Sequence, residues 1–249
     1  MNVLPFLLAA RPKTLPAAIV PVWLGCVLAW FLSGEFDGWL AFHTLMGAVW
    51  IQVGTNFFND AIDSDKGADT EKRLGPMRAT ASGALSRGAV YGAAVVCLLI
   101  AAVFGYLLFQ ARGWTILAIG IPSLYLCYGY TGGPWPLAYK GLGELFVILF
   151  FGLVAVAGTV FVQLGEWRIE AVLLGLQVGL LSAVLISINN LRDREEDAGN
   201  NKRTMAVLLG ETCAKKLLLL EIQIQEMMHR TMIKILPQII VQIMMQVER

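Results

Sequence analysis

The stretch "GAVWIQVGTNFFNDAIDSDKGADT", residues 47–70, decides the fold. Its first half is mostly apolar, and its second half places Asp60, Asp63, Asp65 and Asp69 within ten residues. An apolar helix that ends in a group of carboxylates is the pattern expected where a membrane-spanning segment reaches water. The rest of the chain has the same organisation, with long apolar runs separated by polar connections.

The composition is that of an integral membrane protein. The 249 residues are 57% hydrophobic and 15% charged, with a mean hydropathy of +0.66, whereas soluble domains carry about 25% charged residues. A net charge of +1 gives no general attraction to nucleic acid, so no nucleic-acid partner is expected. The four cysteines form no CxxC pair and predict neither a zinc site nor a disulfide framework.

Six apolar runs are predicted to span the bilayer, because a membrane helix needs about 20 mostly apolar residues. None of them alternates like a barrel strand, and other backbone conformations are excluded from lipid. The predicted spans are 15–32, 39–58, 89–109, 114–130, 143–164 and 169–188. The sequence therefore predicts an all-α fold, a polytopic transmembrane helical bundle.

The basic residues are distributed unevenly between the two sides of this bundle. Twelve lie in the N-terminal segment and in the connections after spans two, four and six, whereas the other three connections hold only Arg112 and Arg168. The positive-inside rule then predicts a cytoplasmic N-terminus and three cytoplasmic loops. We expect a multi-pass protein of the cell inner (plasma) membrane.

Two polar clusters stand at predicted cytoplasmic helix ends with similar spacing. Residues three or four apart share a helix face, so each cluster presents an amide and two carboxylates on one side. The clusters are Asn56, Asp60 and Asp63 in the first, and Asn189, Asp193 and Asp197 in the second. The match between them is typical of a weak internal repeat.

Oxygen ligands at this density suit a hard divalent cation. Mg²⁺ usually takes one or two protein carboxylates and keeps its other positions for water or phosphate, so two facing clusters predict Mg²⁺ around a diphosphate. The basic pairs Lys72–Arg73 and Lys202–Arg203 would bind the remaining phosphate charge. A solvated acidic face is the alternative. An EF-hand is excluded, since Gly67 falls where a loop starting at Asp63 requires an acid.

Other polar and aromatic residues admit more than one interpretation. Glu144 either faces the bundle as a functional carboxylate or extends from a helix end to the membrane surface. Trp135 and Tyr139 either floor a ring-binding pocket or belong to an interfacial aromatic belt. His43 and His229 are interpreted as structural.

The polar segments resemble those of the UbiA-type intramembrane aromatic prenyltransferases, most closely the branch that prenylates 1,4-dihydroxy-2-naphthoate in menaquinone biosynthesis. The similar segments are "ARPKTLPAAIVPVWLG" (10–25), "NFFNDAIDSDKGADTEKRLGPMRATASG" (56–83), "YTGGPWPLAYKGLGE" (130–144) and "NNLRDREEDAGNNKRTMAVLLG" (189–210). They occur in order and at compatible spacing from about residue 10 to residue 213. The resemblance implies a helical bundle with a central cavity beneath cytoplasmic loops.

The resemblance also implies a reaction. A polyprenyl group would pass from polyprenyl diphosphate to 1,4-dihydroxy-2-naphthoate with loss of carbon dioxide, giving demethylmenaquinone, and Mg²⁺ would be the cofactor. The implied metal-binding and catalytic residues are Asp60, Asp63, Asp193 and Asp197. The implied substrate-binding residues are Asn56, Asn59, Lys72, Arg73, Lys140, Asn190, Lys202, Arg203 and Arg11. Generic members carry an aspartate where Gly67 stands, so the choice between Asp65 and Asp69 is open.

Three other hypotheses are retained at this stage. In the first, the acceptor is another aromatic compound, such as 4-hydroxybenzoate, homogentisate or haem. In the second, the chain is a non-catalytic remnant. In the third, it is a membrane transporter, which is disfavoured because transporter sites usually lie near the bilayer midplane and these acids lie at helix ends.

The C-terminal portion departs from the family pattern. Residues 1–214 are predicted to form the UbiA-type transmembrane domain, and residues 215–249 an atypical tail. The family has about nine helices, whereas the tail contains no window of about 18 uncharged apolar residues. We interpret the tail as a frameshifted or truncated end, or as an interfacial amphipathic segment, and expect the family's C-terminal helices to be missing.

Overall fold

The computed structural model describes residues 3–67 and 78–247, with side chains described as far as residue 231. Asp69 and the pair Lys72–Arg73 lie outside the described residues. All regular elements within the described ranges are helices, which confirms the all-α prediction. The helices are α1 Leu4–Ala9, α2 Pro16–Ser33, α3 Gly38–Asp65, α4 Arg87–Arg112, α5 Trp114–Gly129, α6 Gly143–Leu164, α7 Ile169–Arg192, α8 Arg194–Gly199 and α9 Met205–Val247, with short 3₁₀ turns at Pro12–Thr14 and Leu137–Tyr139.

The predicted polytopic membrane bundle is confirmed, although its helices differ in apolarity. Helices α2, α4, α6 and α7 are long and apolar enough to cross a membrane, and α5 is apolar but only 16 residues long. Helix α3 has 28 residues but falls outside this group because it carries polar side chains such as His43, Gln52 and Asn56. These three side chains are buried inside the bundle.

Helix α3 is fixed at its start and along one face. The Asp37 carboxylate accepts hydrogen bonds from the amides of Trp39 (2.8 Å) and Leu40 (3.0 Å), which satisfies two of the four free amides of the first turn. One turn later, the Nδ1 atom of buried His43 lies 2.7 Å from the Trp39 carbonyl oxygen, in agreement with a structural role. The helix continues to Asp65, beyond the predicted end at residue 58, so its aspartates lie on the helix itself.

Helices α6 and α7 approach each other backbone to backbone. A Cβ atom on Gly152 would clash with the carbonyl oxygen of Gly175, and one on Gly179 would lie 2.7 Å from that of Ile148. Small residues four apart permit this kind of close membrane-helix packing. The contact segment of α6, Ile148–Ala157, is wound as a π-helix. The contact fixes the position of α7, and therefore of the second aspartate cluster at its end.

Helix α9 packs against α7 and α8. It is interrupted at Gly210, whose φ of 73° is accessible to glycine without strain. Beyond that point it runs antiparallel to α7, since Glu221 lies close to Ser187 and His229 lies close to Gln177. The helix passes through residue 214 without a break, so the division into residues 1–214 and 215–249 stays a prediction from sequence.

Candidate active site

A cavity of about 360 Å³ lies between helices α2 to α7. This volume is within the range of about 300–1,000 Å³ that is typical of small-molecule sites. The lining is mostly aliphatic and aromatic, and the polar side chains of Asn56, Asn59 and Tyr130 belong to it. Because Asn56 and Asn59 lie one turn before Asp60 and Asp63 on α3, the apolar cavity opens towards the first carboxylate cluster.

The two asparagines at this end are held by neighbouring segments. Asn56 is buried, and its Nδ2 atom donates to the Ala10 carbonyl oxygen and to the Thr14 Oγ1 atom, both at 2.9 Å. The Asn59 Oδ1 atom accepts a short hydrogen bond from the Thr131 hydroxyl. Asn56 therefore fixes the segment before α2, and Asn59 fixes the segment after α5.

Asp60 holds the segment that precedes α4. Its Oδ1 atom accepts from the amide (2.8 Å) and hydroxyl (2.6 Å) of Thr80, and its Oδ2 atom accepts from the amide of Ala79 (3.0 Å). The side chain is 1% exposed. Three protein donors on one buried carboxylate join the end of α3 to the loop that returns to α4.

Asp63 and Tyr139 connect the two clusters. The Arg78 guanidinium and the Tyr139 hydroxyl each donate to Asp63 at 2.8 Å, and all three side chains are buried. The Lys66 ammonium lies 3.8 Å from the centre of the Tyr139 ring, and the Lys202 ammonium lies 5.9 Å from it. Two cations from opposite clusters therefore meet over one aromatic ring.

The second cluster has fewer partners among the residues that the structure describes. Asp193 accepts from Arg192 at 2.6 and 2.7 Å, and Asp197 lies 3.3 Å from the Lys202 ammonium. The Oδ2 atom of Asp197 is buried and has no hydrogen-bond partner within the described residues. Burial raises the pKa of Asp197, Lys202 opposes this effect, and the nearby charges of Asp193 and Asp63 raise the pKa further. Carboxylates of both clusters are thus close enough to repel.

The donor chemistry of these carboxylates fits a hard cation. An ionised carboxylate offers about four acceptor sites. Towards donors in the described residues, Asp60 uses three of them, Asp63 and Asp193 two each, and Asp197 one. Within residues 3–67 and 78–231, no group of three acidic, histidine or cysteine side chains is arranged to hold a metal by itself. Mg²⁺ does not require one, because it commonly takes one or two carboxylates and completes its shell with phosphate and water.

Three of the other predicted basic residues belong to the described part of the chain, and they have different surroundings. The Lys140 ammonium lies 5.9 Å from the Trp135 ring centre, and the Trp135 side chain is exposed. Arg203 is exposed beside Lys202, whereas Arg11 is half-buried and adopts a left-handed backbone conformation with φ 51°. The pair Lys72–Arg73 belongs to the segment that is not described.

Asn190, a predicted substrate-binding residue, contacts the Glu144 carboxylate on α6. Its Nδ2 atom donates to the Glu144 Oε1 atom at 2.8 Å, and the Glu144 side chain is 6% exposed. This contact makes the buried interpretation of Glu144 correct and excludes extension of its side chain to the membrane surface. Asn190 therefore joins the end of α7 to the start of α6.

Sequence analysis missed several residues that contribute to this arrangement. Arg78 and Lys66 were counted only as basic loop residues, yet Arg78 is the buried partner of Asp63, and the Lys66 ammonium donates to the Thr131 carbonyl oxygen at 2.6 Å. Thr80 was not singled out at all. The available signal was the segment "RATASG", residues 78–83, whose small polar residues are suited to a loop that binds a carboxylate through its amides.

Comparison with known proteins agrees with this architecture. Residues 18–223 match the UbiA prenyltransferase family. Because the match extends over most of the sequence, the chain belongs to this family of prenyltransferases.

Several curated relatives are similar over most of the chain. The chain is 35% identical over 208 residues to the 1,4-dihydroxy-2-naphthoate octaprenyltransferase of Haemophilus influenzae, covering 81% of this chain and 68% of that protein. The protein of the same name from Mycobacterium tuberculosis is 38% identical over 211 residues (84% and 70% covered). The one from Bacillus subtilis is 34% identical over 208 residues (84% and 67%).

The fold is also found in solved structures. A UbiA homolog from Archaeoglobus fulgidus bound to DMAPP and Mg²⁺ is similar with a TM-score of 0.71 at 16% identity, covering 97% of this chain and 85% of that chain. A second structure of the homolog, bound to GPP and Mg²⁺, has the same TM-score. With 97% of the chain covered, the likeness extends into helix α9.

Proposed function

We propose that this protein transfers a polyprenyl group from polyprenyl diphosphate to 1,4-dihydroxy-2-naphthoate, with loss of carbon dioxide, to give demethylmenaquinol, the reduced form of demethylmenaquinone. The observation that carries the proposal is the two-part site, in which an apolar cavity ends one helical turn from a cluster of carboxylates and cations. A polyprenyl diphosphate has the same two parts. The names of the relatives support the acceptor.

In this proposal, apolar residues bind the prenyl chain of the substrate, and charged residues bind its diphosphate. The aliphatic and aromatic lining of the cavity receives the prenyl chain and excludes water that would capture an allylic cation. Lys66 and Lys202, which meet over Tyr139, bind diphosphate oxygens through their ammonium groups. Lys72, Arg73, Lys140, Arg203 and Arg11 are proposed as further contacts to phosphate or to the acceptor carboxylate.

Asp63, Asp193 and Asp197 are proposed to hold Mg²⁺, because each has acceptor sites that the described residues do not use, and their charges lie within mutual reach. When bound, Mg²⁺ neutralises diphosphate charge and favours its departure. Asp60 is proposed as a weaker ligand that mainly orders the loop at Thr80. Asn56 and Asn59 are proposed to bind substrate at the entrance of the cavity.

The orientation is proposed from the distribution of basic residues. We place the protein in the inner (plasma) membrane with the N-terminus and both aspartate clusters in the cytoplasm. The test is labelling of Ser82→Cys and Asn200→Cys in a background in which the exposed Cys213 is replaced. Both sites are expected to resist impermeant thiol reagents in intact cells and to react after permeabilisation. Reaction in intact cells would reverse the orientation.

The activity is tested with membranes that contain the protein and a labelled polyprenyl diphosphate. 1,4-Dihydroxy-2-naphthoate, 4-hydroxybenzoate and homogentisate are offered in parallel, and both the prenylated product and carbon dioxide are measured. We expect product and carbon dioxide in equal amounts from the dihydroxynaphthoate. The double variant D193N/D197N is the control for background prenylation. Preferential use of another acceptor would overturn the proposed substrate. If none of the three acceptors is prenylated in a metal-dependent reaction, the proposed activity is wrong.

A further inference from the structure

Glu144 is a buried carboxylate with one oxygen unaccounted for. Its Oε1 atom accepts from Asn190, while its Oε2 atom is buried and has no hydrogen-bond partner within the described part of the chain. Leaving a buried acceptor unsatisfied is costly, and a charged acceptor more so. Because buried polar groups in folded proteins normally have a hydrogen-bond partner, we expect the Oε2 atom to accept a hydrogen bond from a molecule that is not part of the described chain.

The position of Glu144 indicates what this partner touches. Phe146 and Val147, which follow on the same turn of α6, line the apolar cavity. A Cβ atom on the preceding Gly143 would lie 3.0 Å from the hydroxyl oxygen of Tyr130, which also lines the cavity. Glu144 therefore lies beside Tyr130 at the border of the cavity, next to the residues that line it.

Tyr130 connects this position with the first cluster. The Tyr130 hydroxyl lies within reach of the charges of both Glu144 and Asp63. Two carboxylates in this region have an oxygen without a hydrogen-bond partner in the described part of the chain, Glu144 and the nearby Glu221 of α9. Glu144 is the one whose helical turn carries the cavity-lining residues Phe146 and Val147.

We propose that Glu144 binds a ring hydroxyl of the aromatic acceptor through Oε2 and takes its proton as the ring reacts. This inference rests on the proposed function and deepens it by assigning the acceptor-activating residue. A phenolate attacks an allylic cation more readily than a phenol does, because the oxygen can release electron density into the ring. Positioned proton acceptors of this kind contribute about 10²–10⁴-fold to rate.

The proton and electron balance closes without another reactant. The allylic carbon–oxygen bond of the diphosphate breaks, and a new carbon–carbon bond forms at the ring carbon that bears the carboxylate. The ring hydroxyl becomes a carbonyl, and its proton moves to Glu144. The carbon–carboxylate bond then breaks to release carbon dioxide, its electron pair restores the aromatic ring, and the oxygen recovers the proton from Glu144.

The experiment compares wild type with Glu144→Gln, which keeps the side-chain size and an acceptor for Asn190 but cannot take a proton. Three acceptors are used: 1,4-dihydroxy-2-naphthoate and its two monomethyl ethers, in which the oxygen on C1 or the oxygen on C4 carries a methyl group in place of the proton but can still release electron density into the ring. For the dihydroxy acceptor, we expect kcat/KM to fall about 10²-fold or more, with the KM for polyprenyl diphosphate unchanged. For the analogue that lacks the bound hydroxyl, wild type and variant should be nearly equal. The lower reactivity of each analogue cancels in that ratio.

Two further variants separate this role from a structural one. Glu144→Asp keeps a carboxylate, so it should lose less activity and retain the discrimination between acceptors, and it serves if the glutamine variant folds poorly. Glu221→Gln changes another buried glutamate, on α9, and should leave the discrimination unchanged. Equal losses for all three acceptors, or a raised KM for the diphosphate, would overturn the inference while the proposed function stands. Failure of wild type to prenylate the dihydroxynaphthoate would overturn both.

Discussion

The ends of α3 and α7 carry similar amide-and-aspartate spacing, yet the protein treats their carboxylates differently. Asp60 is 1% exposed and bonded to two consecutive loop residues, whereas Asp197 retains a buried oxygen without a partner in the described chain. The difference arises because residues 79 and 80, which precede α4, lie against the end of α3, whereas α7 passes at once into the short helix α8. Similar spacing therefore produces one cluster that organises the loop and one that is available to a ligand.

Removal of the divalent cation is expected to have the largest effect on this comparison. If the available carboxylates of α7 hold Mg²⁺ against diphosphate, exhaustive EDTA treatment of purified protein should abolish prenyl transfer, and added Mg²⁺ should restore it. Turnover is followed with labelled polyprenyl diphosphate. Full activity after chelation would mean that neither cluster binds a metal ion needed for the reaction. The structural difference between the two clusters would then have no role in catalysis.

Asparagine substitutions should then separate the two clusters. Asp197→Asn is expected to lower turnover about 10³-fold, since a lost metal ligand removes several kcal/mol of charge stabilisation. Its melting temperature should change little, because few protein hydrogen bonds are lost. Raised Mg²⁺ should recover part of the activity if the defect is weakened metal binding.

Asp60→Asn should behave differently. We expect a lower melting temperature in detergent together with lost activity, because the amide NH₂ now faces the donors of Ala79 and Thr80. Raised Mg²⁺ should not restore activity. If both variants lose activity equally, retain wild-type melting temperatures and recover with Mg²⁺, the two clusters are equivalent and the structural contrast is without consequence.

The sequence predicts the helices well and the partners of the aspartates poorly. Apolar length fixes where helices such as α4 and α6 lie, because the bilayer allows few alternatives. Asp60 and Asp63 lie near the end of α3, but Asp193 follows the last residue of α7 and Asp197 belongs to the separate helix α8, so the second cluster does not share one helix face as its spacing predicts. The donors to Asp60 are amides of residues 79 and 80, which no side-chain pattern encodes. Likewise, the close contact of Gly152 with Gly175 depends on which helices are neighbours. Long-range partners of this kind follow from packing.

The buried ion pair between Asp63 and Arg78 provides a smaller but measurable effect. Removal of one partner leaves an uncompensated buried charge, so Arg78→Met is expected to destabilise the protein by about 3–5 kcal/mol. The double variant D63N/R78M should recover much of this loss, since no charge then remains unpaired. Thermal unfolding in detergent is the measurement. Additive losses in the double variant would show that the two side chains stabilise the protein independently.

Thr80→Val tests the loop contact of Asp60 more gently. The change removes the hydroxyl donor to Oδ1 but leaves both backbone amides in place. We expect a loss of about 1 kcal/mol in stability and a modest fall in turnover. Thr80→Ser, which retains the hydroxyl, is the matched control and should stay close to wild type. If Thr80→Val lowers stability as much as Asp60→Asn does, the Thr80 hydroxyl provides most of the stabilisation that Asp60 gives to this loop.

The smallest effect is expected at Asp65, two residues from the buried pair of Asp63. Asp65 also has an arginine partner, with 2.7 Å between Arg87 Nε and Asp65 Oδ1, and it accepts from the Tyr91 hydroxyl at 2.9 Å. The Arg87 side chain is 66% exposed, so water and salt screen this ion pair and compete with it. Arg87→Ala should therefore leave the melting temperature and turnover unchanged within error, whereas Arg78→Met does not. A large fall in melting temperature or turnover in Arg87→Ala would show that burial does not determine how much each of these two ion pairs stabilises the protein. The exposed side of α3 would then also stabilise the loop.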